Sequence, residues 1–201
     1  MVNNNKQEVL LTFDDGPTSY LLDILSILKQ ENVQAIFFWQ SNLIHDGESR
    51  WKDVLNQGHH IGTHAHSHPK LPEQTYEEQL YEIQFSKERL EALIGKTITQ
   101  FRPPNGLYNE DTLTIAEKLG LDLILWQVAS WDWMHEKSSE YIVKNVVDYT
   151  SAGDIVLLHE LPQTVEVLRE LIRTLKNKDF QFVKPHAPLR LINRGHQKEN
   201  K

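Results

Sequence analysis

Short apolar runs alternate with amphipathic stretches along most of the 201-residue chain. A short apolar run that ends at a turn signal is typical of a buried strand, and a 3.6-residue apolar period is typical of a helix. The runs predict strands at 9–13, 35–39, around Ile61, and at 98–101, 121–128, 155–158 and 180–183. The periodic stretches predict helices at 20–30, 50–57, 76–94, 111–119, 139–149 and 164–176.

This alternation predicts an α/β fold with a parallel sheet. Roughly seven β/α units can be counted, which is close to a (β/α) barrel but short of the full eight. The chain contains no repeat and no long linker, so we expect a single domain over residues 1–201. In such folds the chemistry gathers at the carboxyl ends of the strands.

The composition of the chain argues against several kinds of partner and site. With 39% hydrophobic and 24% charged residues the chain can bury a core. Its formal net charge of -7 argues against partners that are nucleic acids or anionic membranes. The absence of cysteine excludes disulfides, thiolate zinc sites and a cysteine nucleophile.

The sequence leaves the cellular compartment open. No apolar stretch reaches the roughly 20 residues of a membrane helix, and the polar first eight residues contain no secretory signal. At face value the protein is cytoplasmic. A secreted or wall-associated protein from which a leader had been removed would look the same.

The first strand ends in two adjacent carboxylates, Asp14 and Asp15, which Gly16 and Pro17 follow. Neighbouring side chains of a strand point to opposite sides. One carboxylate can therefore hold a metal while the other handles a proton. The alternative is a helix N-cap with a spare surface charge, because Asp is favoured before turns.

Five of the ten histidines fall between positions 58 and 68. His64 and His68 are four residues apart, so one helical turn would set both imidazoles on one face. Two imidazoles and one Asp oxygen form a three-point metal site with open positions, as catalytic metals need. The alternative, a group of surface or capping histidines, is weakened by the Asp-Asp strand end in the same chain.

Three later motifs carry further candidate chemistry. The rigid Arg-Pro-Pro-Asn-Gly loop that begins at Arg102 can aim this arginine at a carboxylate. Asp132 stands between Trp131 and Trp133, whose flat rings can stack on a sugar, although we expect one of them in the core. His159 ends an apolar strand and fits a proton donor, while a buried core histidine is the usual alternative.

These five motifs, in this order, resemble those of the polysaccharide deacetylase family, the carbohydrate esterases with NodB homology. The resemblance implies a distorted (β/α) barrel and a divalent metal, usually zinc. Cobalt and nickel would accept the same ligand types. It implies Asp15, His64 and His68 as metal ligands, Asp14 as base, His159 as acid, Arg102 and Asp132 as the residues that orient base and acid, and Asn105, Tyr108 and Trp133 as substrate-binding residues.

Four residues depart from the usual motifs of that family: Ala65, Asn105, Ala129 and Glu160. None of them is an expected ligand or proton carrier. The role implied at Asn105 belongs to its backbone N–H, which would bind an oxyanion.

The implied activity is the metal-dependent hydrolysis of N-acetyl groups on N-acetylglucosamine-containing chito-oligosaccharides, chitin or peptidoglycan. An O-acetyl esterase acting on xylan-type polysaccharide is the closest alternative. A non-haem iron oxygenase also uses two histidines and one carboxylate. An inactive carbohydrate-binding module would be expected to have lost a ligand or a proton carrier. The sequence does not indicate an oligomeric state.

Overall fold

The computed structural model describes residues 7–45, 47–135 and 138–185. The strands in this part of the chain are β1 (Gln7–Gly16), β2 (Ala35–Trp39), β3 (His60–Thr63), β4 (Gln100–Phe101), β5 (Asp122–Leu123), β6 (Val128–Ala129), β7 (Asp154–His159) and β8 (Phe180–Phe182). The α-helices are α1 (Leu21–Gln30), α2 (Trp51–Asn56), α3 (Tyr76–Ile94), α4 (Glu110–Lys118), α5 (Ser139–Tyr149) and α6 (Pro162–Asn177).

All eight strands belong to one parallel sheet. The order across it is β5-β4-β3-β2-β1-β7-β6, and β8 pairs with the beginning of β1. Every strand pair is parallel, and an α-helix separates each successive pair of strands except β5 and β6, so the α/β prediction is confirmed. In the described residues β5 and β6 are the two ends of the path, and the sheet stays open between them.

The two faces of β1 serve different purposes. Val9, Leu11 and Phe13 belong to the main core, which packs the sheet against the helices. Leu10 belongs to a smaller cluster on the opposite, concave face, together with Ile36, Phe38, Ile124 and Ile155. Since side chains alternate along a strand, Thr12 and Asp14 follow Leu10 onto the concave face. The first catalytic candidate therefore lies inside the curl of the sheet.

Helix α3 has the bounds that the sequence predicts, because both of its ends are capped. Thr75 accepts a hydrogen bond from the backbone N–H of Glu78, and the Glu78 side chain accepts one from the backbone N–H of Thr75. Such a capping box satisfies two amide groups that would otherwise lack partners. Gly95 ends the helix in the left-handed region at φ 68°.

The predicted strand 121–128 is wrong, since this stretch forms two short strands in different places. β5 pairs with β4 at one end of the sheet, and β6 pairs with β7 at the other. Between them, the carbonyl oxygens of Ile124 and Leu125 accept hydrogen bonds from the Arg102 side chain. These two oxygens are directed at Arg102 and not at the backbone N–H groups of a neighbouring strand, so the chain leaves the sheet there.

No helix in the described ranges is long and apolar enough to cross a membrane. The expectation of one domain over residues 1–201 extends beyond the described ranges and stays a prediction.

Helix α1 offers a matched test of the core. Leu25 is buried, whereas Leu22 on the same helix is 51% exposed. Leu25→Ala should lower the free energy of unfolding by about 2–5 kcal/mol, because a buried leucine loses its contacts and leaves a cavity. Leu22→Ala should change it by about 0.5 kcal/mol or less. Urea unfolding followed by circular dichroism measures both, and equal effects would contradict the described orientation of α1.

His59, just before β3, gives a pH-dependent prediction. Its Nδ1 accepts a hydrogen bond from the backbone N–H of Ala35 at 3.0 Å, and burial, assisted by His60, lowers its pKa to about 4. The unfolded chain would protonate this histidine near pH 6.5. The unfolded state therefore binds more protons, and the free energy of unfolding should fall as pH drops from about 6.5 to about 4.

An NMR titration of the imidazole protons checks this directly. The His59 resonances should stay at their neutral positions down to about pH 5. A midpoint near 6.5 would contradict the buried environment.

Candidate active site

A bulge at the carboxyl end of β1 brings both carboxylates into one site. The pairing of β1 with β2 shifts register between Asp14 and Gly16, and Asp15 has φ 64°. The expectation that the two side chains point to opposite sides is therefore wrong, because a bulge interrupts the alternation. One oxygen of Asp14 and one of Asp15 each lie 3.7 Å from His64 Nε2.

A turn, and not a helix, brings together the two histidines expected as ligands. Residues 64–69 have no helical pattern, which corrects the prediction of one helical turn. Ala65 and His68 have φ values of 63° and 62°, and left-handed residues reverse the direction of the chain. The His64 and His68 rings lie with their centroids 4.9 Å apart and their planes at 65°.

Asp15, His64 and His68 fit a metal ion. One potential ligand atom from each residue lies within 4.8 Å of the other two. The Nδ1–H of His64 donates to the Arg102 carbonyl at 2.7 Å, which leaves the Nε2 lone pair facing the carboxylates. Burial lowers the pKa of His64 although Asp14 and Asp15 oppose it, and a neutral imidazole is the form that binds metals.

Arg102 is a fully buried cation held against Asp14. Its Nη1 donates to Asp14 Oδ1 at 2.7 Å and to Thr12 Oγ1 at 2.8 Å. Its Nε and Nη2 donate to the two carbonyls between β5 and β6, both at 3.0 Å. The guanidinium also lies 4.3 Å from the centre of the Phe38 ring. These contacts replace the water that burial removes, and they hold one oxygen of Asp14 in place.

His159, the last residue of β7, is held by Asp132. Its Nδ1–H donates to Asp132 Oδ1 at 2.7 Å, and its backbone N–H donates to Oδ2 at 2.7 Å. Burial alone would lower the pKa of His159, but the hydrogen bond and charge of Asp132, with Asp14 and Asp15, raise it. Its Nε2 points to the carboxylates, 3.8 Å from Asp15 Oδ2.

The three residues expected to bind substrate are all exposed. Trp133 is 39% exposed, and its ring meets that of His159 edge-on with centroids 5.0 Å apart. The Trp131 ring lies beside it with centroids 4.9 Å apart and planes tilted at 42°. Neither tryptophan is buried in the core, which corrects that expectation. Tyr108 is exposed, and Asn105 adopts φ 57° after the two prolines.

The sequence interpretation missed several polar residues that support this site. Thr12 bonds Arg102 and the carbonyl of Val156. Thr164 donates to Asp132 Oδ2 at 2.7 Å. The period of two along β1 could have indicated Thr12, which lies on the same strand face as Asp14. No local signal indicates Thr164, because the fold brings it from a helix 32 residues further on.

Glu160, one of the departures from the usual motifs, braces the turn after the two carboxylates. It accepts hydrogen bonds from the backbone N–H of Thr18 at 2.8 Å and from Trp39 Nε1 at 3.1 Å. Burial raises its pKa to about 7 against the effect of these donors. A Cβ on Gly16 would overlap the Glu160 carboxylate, so this close approach requires glycine.

Known proteins resemble the chain over most of its length. A family model described as Polysaccharide deacetylase matches residues 1–124. A peptidoglycan-N-acetylglucosamine deacetylase of Bacillus cereus is 35% identical over 185 residues, which cover 89% of this chain and 67% of that protein. The peptidoglycan-N-acetylglucosamine deacetylase PgdA of Listeria monocytogenes is 32% identical over 88% of this chain, which spans 38% of that protein's length.

A solved structure gives the same result for the fold. The family 4 carbohydrate esterase from Streptomyces lividans, in complex with acetate, matches with a TM-score of 0.81 and 28% identity, over 87% of this chain and 90% of that chain. The predicted distorted (β/α) barrel is thus confirmed. Because the family model covers more than half of the 201 residues, the chain belongs to the polysaccharide deacetylase family of hydrolases, as its five motifs predict.

Proposed function

We propose that this protein hydrolyses the N-acetyl groups of N-acetylglucosamine units in a polysaccharide or oligosaccharide. One observation carries the proposal. Asp14 and His159 both face the cluster of Asp15, His64 and His68, at 3.7 Å from His64 and 3.8 Å from Asp15. A proton acceptor and a proton donor beside a metal-binding cluster form the set that amide hydrolysis requires.

In this proposal Asp15, His64 and His68 hold a divalent cation, for which we propose zinc. When bound, such a cation lowers the pKa of a coordinated water to about 7 and polarises a carbonyl group. Cobalt or nickel would be accepted by the same ligands. The lowered pKa of buried His64, and the tautomer that its hydrogen bond to the Arg102 carbonyl fixes, favour metal binding at Nε2.

Asp14 acts as the general base. Arg102 occupies Asp14 Oδ1, so Oδ2, which faces His64, is the oxygen available to take a proton from the attacking water. The fixed guanidinium also keeps the carboxylate from turning away. A positioned general base contributes about 10²–10⁴ in rate.

His159 acts as the general acid. The carboxylate of Asp132 favours the protonated imidazole and fixes its ring. Nε2 can then give its proton to the departing amine, so that acetate and a free amino sugar are the products. Trp133, edge-on to this ring, supplies an apolar wall beside the reacting group.

The names of the relatives and the net charge of this chain support the proposed substrate class. The Bacillus cereus and Listeria monocytogenes relatives are named as peptidoglycan-N-acetylglucosamine deacetylases. The net charge of -7 does not attract an anionic wall polymer. We therefore place chito-oligosaccharides beside peptidoglycan as substrates. The proton carriers Asp14 and His159 favour a hydrolase over a non-haem iron oxygenase.

Incubation with N-acetylglucosamine pentamers tests the function. Acetate and free amine should appear in equal amounts, should stop appearing after treatment with a chelator, and should return when zinc is added. Acetate release from acetylated xylan, without any release from the pentamers, would show an O-acetyl esterase instead. Chelator-insensitive release would contradict the role of the metal.

Asp14→Asn tests the base. Asparagine keeps an oxygen that can accept from Arg102 but cannot take the proton, so turnover should fall by about 10²–10⁴. Zinc content, measured by inductively coupled plasma mass spectrometry, should stay near the parent value. Circular dichroism controls for folding, because the buried Arg102 loses a charged partner.

His64→Ala is the contrasting variant, since it should lose both zinc and activity. A fully active Asp14→Asn protein would remove Asp14 from the mechanism. A His64→Ala protein that retains zinc at parental affinity would remove His64 from the metal site.

A further inference from the structure

The side chain of Gln40, just after β2, reaches the carboxylate proposed as the metal ligand. Its Nε2 donates to Asp15 Oδ1 at 2.7 Å. The same oxygen lies 3.7 Å from His64 Nε2 and 3.5 Å from His68 Nε2. We propose that Gln40 is a positioning residue that fixes Asp15 for metal binding. This inference rests on the metal site of the proposed function.

Asp15 needs such support more than the other two ligands do. It lies in a bulge at φ 64°, and its side chain is 39% exposed, compared with 28% for His68 and 3% for His64. Packing therefore leaves the rotation of this carboxylate comparatively free. Each free rotation must be stopped when a metal binds, which costs affinity. A hydrogen bond made in advance removes part of that cost.

Gln40 can do this because its own backbone is fixed. Its N–H donates to the carbonyl of Gly16 at 2.9 Å, directly after the two carboxylates. On the other side, the N–H of Ser41 donates to the carbonyl of Ala65 at 3.3 Å. Ser41 Oγ also bonds His66 Nδ1 at 2.8 Å. The segment 39–42 is thus tied to both parts of the chain that supply ligands.

The chemistry of an amide suits this position. A carboxylate oxygen has two lone-pair directions, so the Gln40 N–H can use one and leave the other for a metal. An amide is neutral, so it adds no repulsion to a cation, unlike the ammonium group of a lysine. Partners of ligating carboxylates typically change metal affinity by 10–100-fold when they are removed.

The test compares zinc affinity by competition with a chromogenic chelator. Gln40→Met keeps the length of the side chain and removes the donor, so it should weaken zinc binding by about 10–100-fold. Gln40→Asn keeps an amide that is one methylene shorter, so it should also weaken binding. Gln30→Met is the matched control, because Gln30 lies on the exposed end of α1 and bonds Ser26 and Arg169. The zinc affinity of the Gln30→Met variant should equal that of the parent protein.

Two further readouts separate positioning from general stability. The melting temperature of the metal-free protein should be the same for Gln40→Met and the parent. The visible absorption spectrum of the cobalt-loaded protein should change in Gln40→Met and not in Gln30→Met.

The two proposals fail in different ways. The metal site, and with it the inference, is overturned if the parent protein binds no zinc. It is also overturned if the His64→Ala variant binds zinc with the same affinity as the parent. A parent that binds zinc through His64, while Gln40→Met and Gln40→Asn bind it within twofold of the parent, overturns the role of Gln40 alone. If Gln40→Met loses zinc affinity and its metal-free form also melts at a lower temperature than the metal-free parent, the role of Gln40 is overturned as well.

Discussion

The site depends on one buried ion pair, between Arg102 and Asp14. A guanidinium without access to water is costly, and removing one partner of a buried pair typically destabilises a protein by about 3–5 kcal/mol. Here four acceptors on two chain segments surround Arg102: Asp14 and Thr12 on β1, and the two carbonyls between β5 and β6. Its own carbonyl also accepts the Nδ1–H of His64. One residue therefore ties the proposed base to a proposed metal ligand and to the break in the sheet.

The predicted elements were mostly confirmed because their signals are local. Neighbouring residues alone predict the strands at 9–13 and 35–39 and the helix at 76–94. The stretch 121–128 failed because its apolar pattern is that of a strand, while its hydrogen bonds are decided by Arg102, some twenty residues earlier. Sequence patterns indicate which residues are buried, and they do not indicate which donor reaches a given carbonyl.

In the candidate site, too, the residues could be predicted from the sequence but their geometry could not. Residue types and their order were enough to select the two carboxylates and the histidines at 64 and 68. The geometry was not predicted, because left-handed residues at Asp15 and His68 break the regular periods of strand and helix. Such conformations are costly for residues other than glycine and are often found at functional sites. The supporting contacts of Thr164 and Gln40 come from tertiary structure, which no local pattern specifies.

We propose above all that Asp15, His64 and His68 bind one cation between a base and an acid. Anomalous X-ray diffraction at the zinc edge, from crystals grown with zinc, tests it most directly. We expect a single strong peak about 2.0–2.2 Å from an oxygen of Asp15 and from the Nε2 atoms of His64 and His68. A peak elsewhere on the chain, with none among these three side chains, would contradict it.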